Sequence, residues 1–91
     1  GFRDATLVTG AVDLANCSRC DASAIEPYIE AILAQLDIDD DGEIEPLTDG
    51  LLILRYLFGF RGTTLVTGAV DLANCNRCDA SAIEPYIAGL L

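Results

Sequence analysis

At 91 residues, 52% of them hydrophobic, the chain can bury one small core and little more. A formal net charge of −10, with no lysine and no histidine, excludes the electrostatic footprint of a nucleic-acid or anionic-membrane binder. No apolar run approaches the roughly 18 residues of a membrane span.

Read from the amino end, residues 1–33 carry a pattern that returns as residues 59–91. The two copies differ only at positions 4, 5, 18, 30, 31 and 32 of the first. Gly1 and Gly59 fall at the same point of the unit, so the expected organisation is one repeat-built domain over 1–91. Its duplicated half-units are 1–33 and 59–91, and residues 34–58 lie between them. Near-identical copies suggest recent duplication and stacking on neighbours. On this reading the chain is a piece of a longer tandem array, and a piece that starts inside a repeat would not display a leader segment.

Within the first copy, residues 6–14 are a short helical candidate with a small, close-packing face at Gly10 and Ala11. Cys17-x-x-Cys20 follows. Ile25, Tyr28, Ile29, Ile32, Leu33 and Leu36 keep the three-four spacing of an amphipathic helix. Ser23 with Glu26 reads as a capping box, and Pro27 falls near the first turn.

Next comes Asp37-Ile38-Asp39-Asp40-Asp41-Gly42-Glu43-Ile44-Glu45, which reads as one calcium loop of the EF-hand kind. Ca²⁺ takes six to eight oxygen ligands, and alternate Asp side chains on a tight loop can converge on it. Asp37, Asp39 and Asp41 hold the first, third and fifth places. Gly42 holds the sixth, where a sharp turn needs a residue without Cβ. Glu43 offers its backbone carbonyl, and Ile44 is the expected buried apolar anchor. The twelfth place, usually a bidentate carboxylate, is Thr48; the carboxylate comes one residue later, at Asp49. A thirteen-residue loop closed by Asp49 requires the extra residue to be absorbed around Pro46-Leu47. Glu45 can assist directly or through water. Seven of the fifteen carboxylates lie between 37 and 49, a costly crowding of like charge without a cation.

Residues 46–58 are apolar nearly all round and are expected to form a central helix packed on several sides, ended by Gly59 and Gly62. Its Arg55 and Tyr56 are either recognition residues or, more simply, a solvated arginine and a core tyrosine. The second copy then repeats the helical candidate over 64–72, with Gly68 and Ala69, and the pair Cys75-x-x-Cys78. Laying residues 70–79 on 36–45 keeps a leading Asp, at Asp71, and places Ala73, Cys75 and Asn76 where the third and fifth ligands and the glycine would stand. Residues 12–21 behave alike, with Ala15, Cys17 and Ser18. Each cysteine segment therefore reads as a degenerate loop too poor in carboxylates for calcium, with a covalent staple in place of the metal.

Four readings of the cysteines stay open: local disulfides Cys17–Cys20 and Cys75–Cys78, a shared Cys₄ zinc site, redox chemistry, or free buried thiols. Redox chemistry lacks a surrounding βαβ pattern. Arg19 and Arg77, beside the cysteines, read as solvated or paired with nearby Asp. No strand pattern is seen beyond the short β contact that paired EF-hand loops make. No histidine, serine-centred nucleophile motif or Gly-rich phosphate loop supports an enzyme.

Residues 36–62, LDIDDDGEIEPLTDGLLILRYLFGFRG, resemble the calcium-loop-plus-helix half of a type I dockerin, or the dockerin-like EF-hand repeats of bacterial secreted proteins. The Asp-x-Asp-x-Asp-Gly core and the helix through Leu54, Arg55, Tyr56 and Leu57 carry the resemblance. It implies an all-α fold of EF-hand-like helix-loop-helix repeats, with one calcium loop between two degenerate cysteine loops. It implies Ca²⁺ on Asp37, Asp39, Asp41, the Glu43 carbonyl and Asp49. The expected role is a non-enzymatic calcium-binding structural module of a larger extracellular or cell-surface bacterial protein. Neighbouring repeats would be its partners. The alternative is a dockerin that docks on a cohesin-like receptor. An intracellular sensor is disfavoured, since such proteins expose Met-rich surface on binding calcium and this chain has no methionine.

Overall fold

A computed structural model describes all 91 residues; its regular structure is all helical, with no strand. The chain divides into two compact units, Gly1–Ile32 and Leu33–Leu91, a boundary that falls at the end of the first copy.

The first unit holds α1 (Asp4–Val8) and α2 (Ala22–Ile32) around the loop that carries Cys17 and Cys20. The expected capping box is replaced by another arrangement. Asp21 Oδ1 accepts from the Ala24 amide at 3.1 Å and from the Ser23 hydroxyl at 2.8 Å. Glu26 turns away from its own helix start, and its Oε2 accepts from the Asp4 amide at 2.8 Å, satisfying a free donor at the start of α1. The cause is Asp21, which stands at the cap position itself, two places before Ser23, and is its equal in capping strength. Pro27 lies inside α2 rather than at its first turn.

The second unit opens with a 3₁₀ turn, Leu33–Leu36, and continues through the acidic loop to a single π turn, Pro46–Gly50. Then come α3 (Leu51–Leu57), α4 (Thr63–Val66) and α5 (Ala80–Leu90). Asp79 caps α5 by accepting from the Ala82 amide at 3.1 Å. At the end of α3, Gly59 takes φ +93°, so that its amide reaches the Tyr56 carbonyl and the Phe60 amide the Arg55 carbonyl. That double closure is the Schellman arrangement, which needs a left-handed residue where glycine stands.

The core is small: Ile38, Leu52, Leu65, Ala69, Ile83 and Ile87 are fully buried, with Tyr56, Val66, Tyr86 and Leu90 among those packed around them. Two expectations are corrected here. The loop's apolar anchor is Ile38, wholly enclosed, whereas Ile44 is 43% exposed. And α3 buries one face only; Leu54 and Leu57 are 50% and 62% exposed, because three short helices cannot wrap a fourth side. Arg55 is also not a solvated residue. Its Nη1 donates to the carbonyls of Leu65 and Thr67 at 3.1 and 2.7 Å, serving acceptors at the end of α4. Tyr56 packs on the core and carries the Arg61 guanidinium over its ring at 3.7 Å.

Each copy brings its two sulfurs to disulfide distance within itself, with Cα–Cα separations of 5.4 Å for Cys17–Cys20 and 5.5 Å for Cys75–Cys78, and no cysteine is left free. Only two residues separate the partners, so the entropic gain of each bridge lies at or below the low end of the usual range of about 2–4 kcal/mol. Replacing all four cysteines by serine is therefore expected to leave both units folded, with faster amide exchange confined to 13–20 and 71–78. Exchange that accelerates throughout α5 would show that the bridge holds more than its own loop.

Candidate metal centre

The acidic loop is shaped by its own backbone first. Gly42 takes φ +91° and Asp40 φ +54°, two left-handed residues of types that tolerate that region. Asp37 accepts from the Asp41 amide at 3.2 Å and the Gly42 amide at 3.0 Å, closing the first half of the loop. Asp41 Oδ1 accepts from the Glu43 amide at 3.0 Å.

The second half is closed by Asp49, 1% exposed. Its Oδ1 accepts from the amides of Ile38, at 2.7 Å, and Asp39, at 3.4 Å, while Oδ2 accepts from the Glu45 amide at 2.9 Å. One carboxylate thus ties both ends of the loop. The π turn makes this reach possible. The Gly50 amide bonds the Glu45 carbonyl five residues back, at 3.2 Å, and a turn of that width takes up one residue more than an α turn.

Carboxylate oxygens of Asp37, Asp39, Asp41 and Asp49, one from each, lie within 4.8 Å of one another. Ca–O distances of about 2.3–2.6 Å allow ligand oxygens on opposite sides of one ion to stand about 4.6–5.2 Å apart, so the set is of calcium size. Magnesium, at about 2.0–2.1 Å, would require it to contract. The carboxylates of Glu43 and Glu45 do not join the four. They are exposed and lie against each other, which raises the Glu45 carboxyl above its ordinary range through the hydrogen bond to Glu43 and then its charge. Thr48, in the twelfth place, has a buried hydroxyl with no hydrogen-bond partner.

The chemistry of the donor set tests the fit. Asp39 is fully buried; its Oδ2 accepts from the Asp71 amide at 2.9 Å, but its Oδ1 has no donor at all. A buried carboxylate oxygen without a protein donor is completed by a water, a proton or a cation, and in a set of four converging carboxylates a cation also offsets the crowded charge. Burial foremost, with the charges of Asp49 and Asp41 behind it, pushes the Asp39 carboxyl up from 3.8 to about 6, against the opposing pull of the Asp71 amide. Since the folded value exceeds the unfolded one, the calcium-free fold binds more protons than the unfolded chain between pH ~4 and ~6 and loses stability as pH rises through that window. The melting temperature of chelated protein is expected to fall from pH ~4.5 to ~7. Added calcium, which competes with that proton, should protect most above pH ~6. A chelated protein that grows more stable across this range would contradict the assignment.

The second cysteine loop docks on the acidic one, through contacts the sequence reading did not anticipate. The amides of Asn76 and Arg77 both donate to the Asp39 carbonyl, at 3.0 and 2.9 Å, and Asn76 Nδ2 donates to the Asp40 carbonyl at 2.9 Å. Arg77 Nε and Nη2 donate to the carbonyls of Ile38 and Asp37, each at 2.8 Å, while its guanidinium lies 3.7 Å above the Tyr86 ring. Arg77 is thus neither solvated nor paired with a carboxylate. This docking, and not the short β contact expected of paired EF-hand loops, joins the two loops. Both copies carry the same Arg and Tyr, at 19 and 28 and at 77 and 86, and the stacking holds each guanidinium as a rigid donor.

No family model, curated protein or solved structure matches the chain. The dockerin likeness of residues 36–62 therefore stands on its residues alone.

Proposed function

We propose that this chain is a non-enzymatic calcium-binding module in which one ion, held by Asp37, Asp39, Asp41 and Asp49 with the Glu43 carbonyl, orders an EF-hand-like loop and fixes the 3₁₀ turn against α3. The observation that carries the reading is the donorless, buried Oδ1 of Asp39 inside a four-carboxylate set of calcium size. The role is structural, since every ligand belongs to the element that positions α3 and Ile38 in the core. Disulfide pairing in each copy supports an extracellular or cell-surface setting within a larger protein. No helix is long and apolar enough to cross a membrane. Docking on a cohesin-like receptor is the second reading, favoured only by the open face of α3 at Leu54 and Leu57 and by the exposed Phe58 that follows it.

Isothermal titration of the full chain should give one site per chain, with a dissociation constant between about 10⁻⁶ and 10⁻³ M and weaker binding of Mg²⁺. Asp39→Asn removes the charge at nearly constant shape and should weaken binding by at least about tenfold. The reading fails on a titration without heat, on two or more comparable sites, or on an Asp39→Asn variant of undiminished affinity.

A further inference from the structure

The chain carries two copies of one surface but a single copy of the segment that covers it. In the second unit, Leu65, Ala69, Ile83 and Ile87 are fully buried beneath a cover that includes Ile38 and Leu52 of segment 36–58. The same segment presents the carbonyls of residues 37–40 to Arg77 and Asn76, and sets Arg55 on the end of α4.

The first unit is folded alike. The Cys17 amide bonds the Asp13 carbonyl at 2.9 Å, as the Cys75 amide bonds that of Asp71. Glu26 and Glu84 each accept at 2.8 Å from the amide that opens the preceding helix segment, and Arg19 stacks on Tyr28 at 3.8 Å as Arg77 does on Tyr86 at 3.7 Å. The difference is in the cover. Leu7, Ile25 and Ile29 are only half-buried, Ala11 and Arg19 are exposed, and Tyr28 is 46% exposed.

We propose that the face of the first unit formed by Leu7, Ala11, Arg19, Ile25, Tyr28 and Ile29 is a docking surface for a further acidic loop–helix segment with the sequence of residues 34–58. The occupant is specified by the second unit, where near-identical residues already receive that sequence. An apolar strip meets Ile38 and Leu52. A stacked, pre-oriented guanidinium meets a run of loop carbonyls. Because Arg19 is already held on Tyr28, little side-chain freedom is lost on docking. The docking is separable from the calcium reading, since its contacts are apolar or to backbone carbonyls except for one, the Asp71 amide on Asp39 Oδ2.

The test uses the full chain extended at its amino end by a second copy of residues 34–58, so that Phe58 of the added copy precedes Gly1 as Phe58 precedes Gly59. Amides of residues 22–32 are expected to exchange at least about tenfold more slowly than in the 91-residue chain, approaching those of residues 80–90. Arg19→Ala in the extended chain should reverse that protection, while Arg77→Ala should leave it in place. Calcium stoichiometry, measured separately, should rise from one to two if the metal reading is also right; protection with no calcium bound would sink the metal reading and keep this one. Unchanged exchange over 22–32, or protection indifferent to Arg19→Ala, overturns the proposal.

Discussion

Calcium at about 100 times its dissociation constant is expected to stabilise the second unit by roughly 2.7 kcal/mol. For a cooperative unit of about this size, that corresponds to a rise in melting temperature of the order of 10–20 °C. The effect is large because the ion would bind only where the chain has already brought four carboxylates together, a geometry the unfolded chain does not hold. It should also be local. Residues 33–91 contain every proposed ligand and the core into which Ile38 inserts, so chelation should loosen the loop, the π turn and the start of α3 while residues 1–32 exchange as before. Thermal melts with and without chelator, read alongside amide exchange, give the answer. An unmoved melting curve, or loss of protection confined to 1–32, would remove calcium from the architecture.

The same substitution made in the two copies should have unequal consequences. Ile83 is fully enclosed by the second unit, and Ile83→Ala deletes buried methyl groups from a core of six residues, at a cost of about 2–5 kcal/mol. A unit of this size has a total stability of about the same order, so the variant should be largely unfolded or severely weakened. Ile25 occupies the corresponding place in the first copy but remains half-exposed, and Ile25→Ala should cost about 1 kcal/mol or less. Chemical denaturation followed by circular dichroism separates the two variants. Equal losses would mean that the burial difference between the copies is not realised in solution, which would also weaken the case for an uncovered docking face.

Much of this was legible in the sequence where the signal is periodic or chemical. The three-four spacing of apolar residues marks α2 and its 3₁₀ continuation, and the absence of alternation leaves no strand. The Asp-x-Asp-x-Asp-Gly spacing names three of the four converging carboxylates, and Asp49 follows once an extra residue is allowed for. What was hidden depends on which surface a partner element takes. Ile38 and Ile44 are equally apolar; Ile38 is buried because the cysteine loop grips the carbonyls on its side, a choice made by tertiary packing. Arg55 and Arg77 could not be placed, because their acceptors are backbone carbonyls distant in sequence, and backbone acceptors leave no mark on composition. Helix α3 looked central because its composition is apolar, yet a unit with three short helices has nothing left to cover its outer side.

The π turn at Pro46–Gly50 turns loop length into a matter of winding. A chain one residue shorter could bring its carboxylate to the same point with an ordinary α turn, so thirteen- and twelve-residue loops would be two spellings of one clamp. Insertions at this place need not be repaired by compensating changes in the helix that follows, and the segment can drift in length while the position of its closing carboxylate is kept. A fixed count from the first aspartate would pass over this loop; what marks its closing carboxylate is the three backbone amides that it gathers.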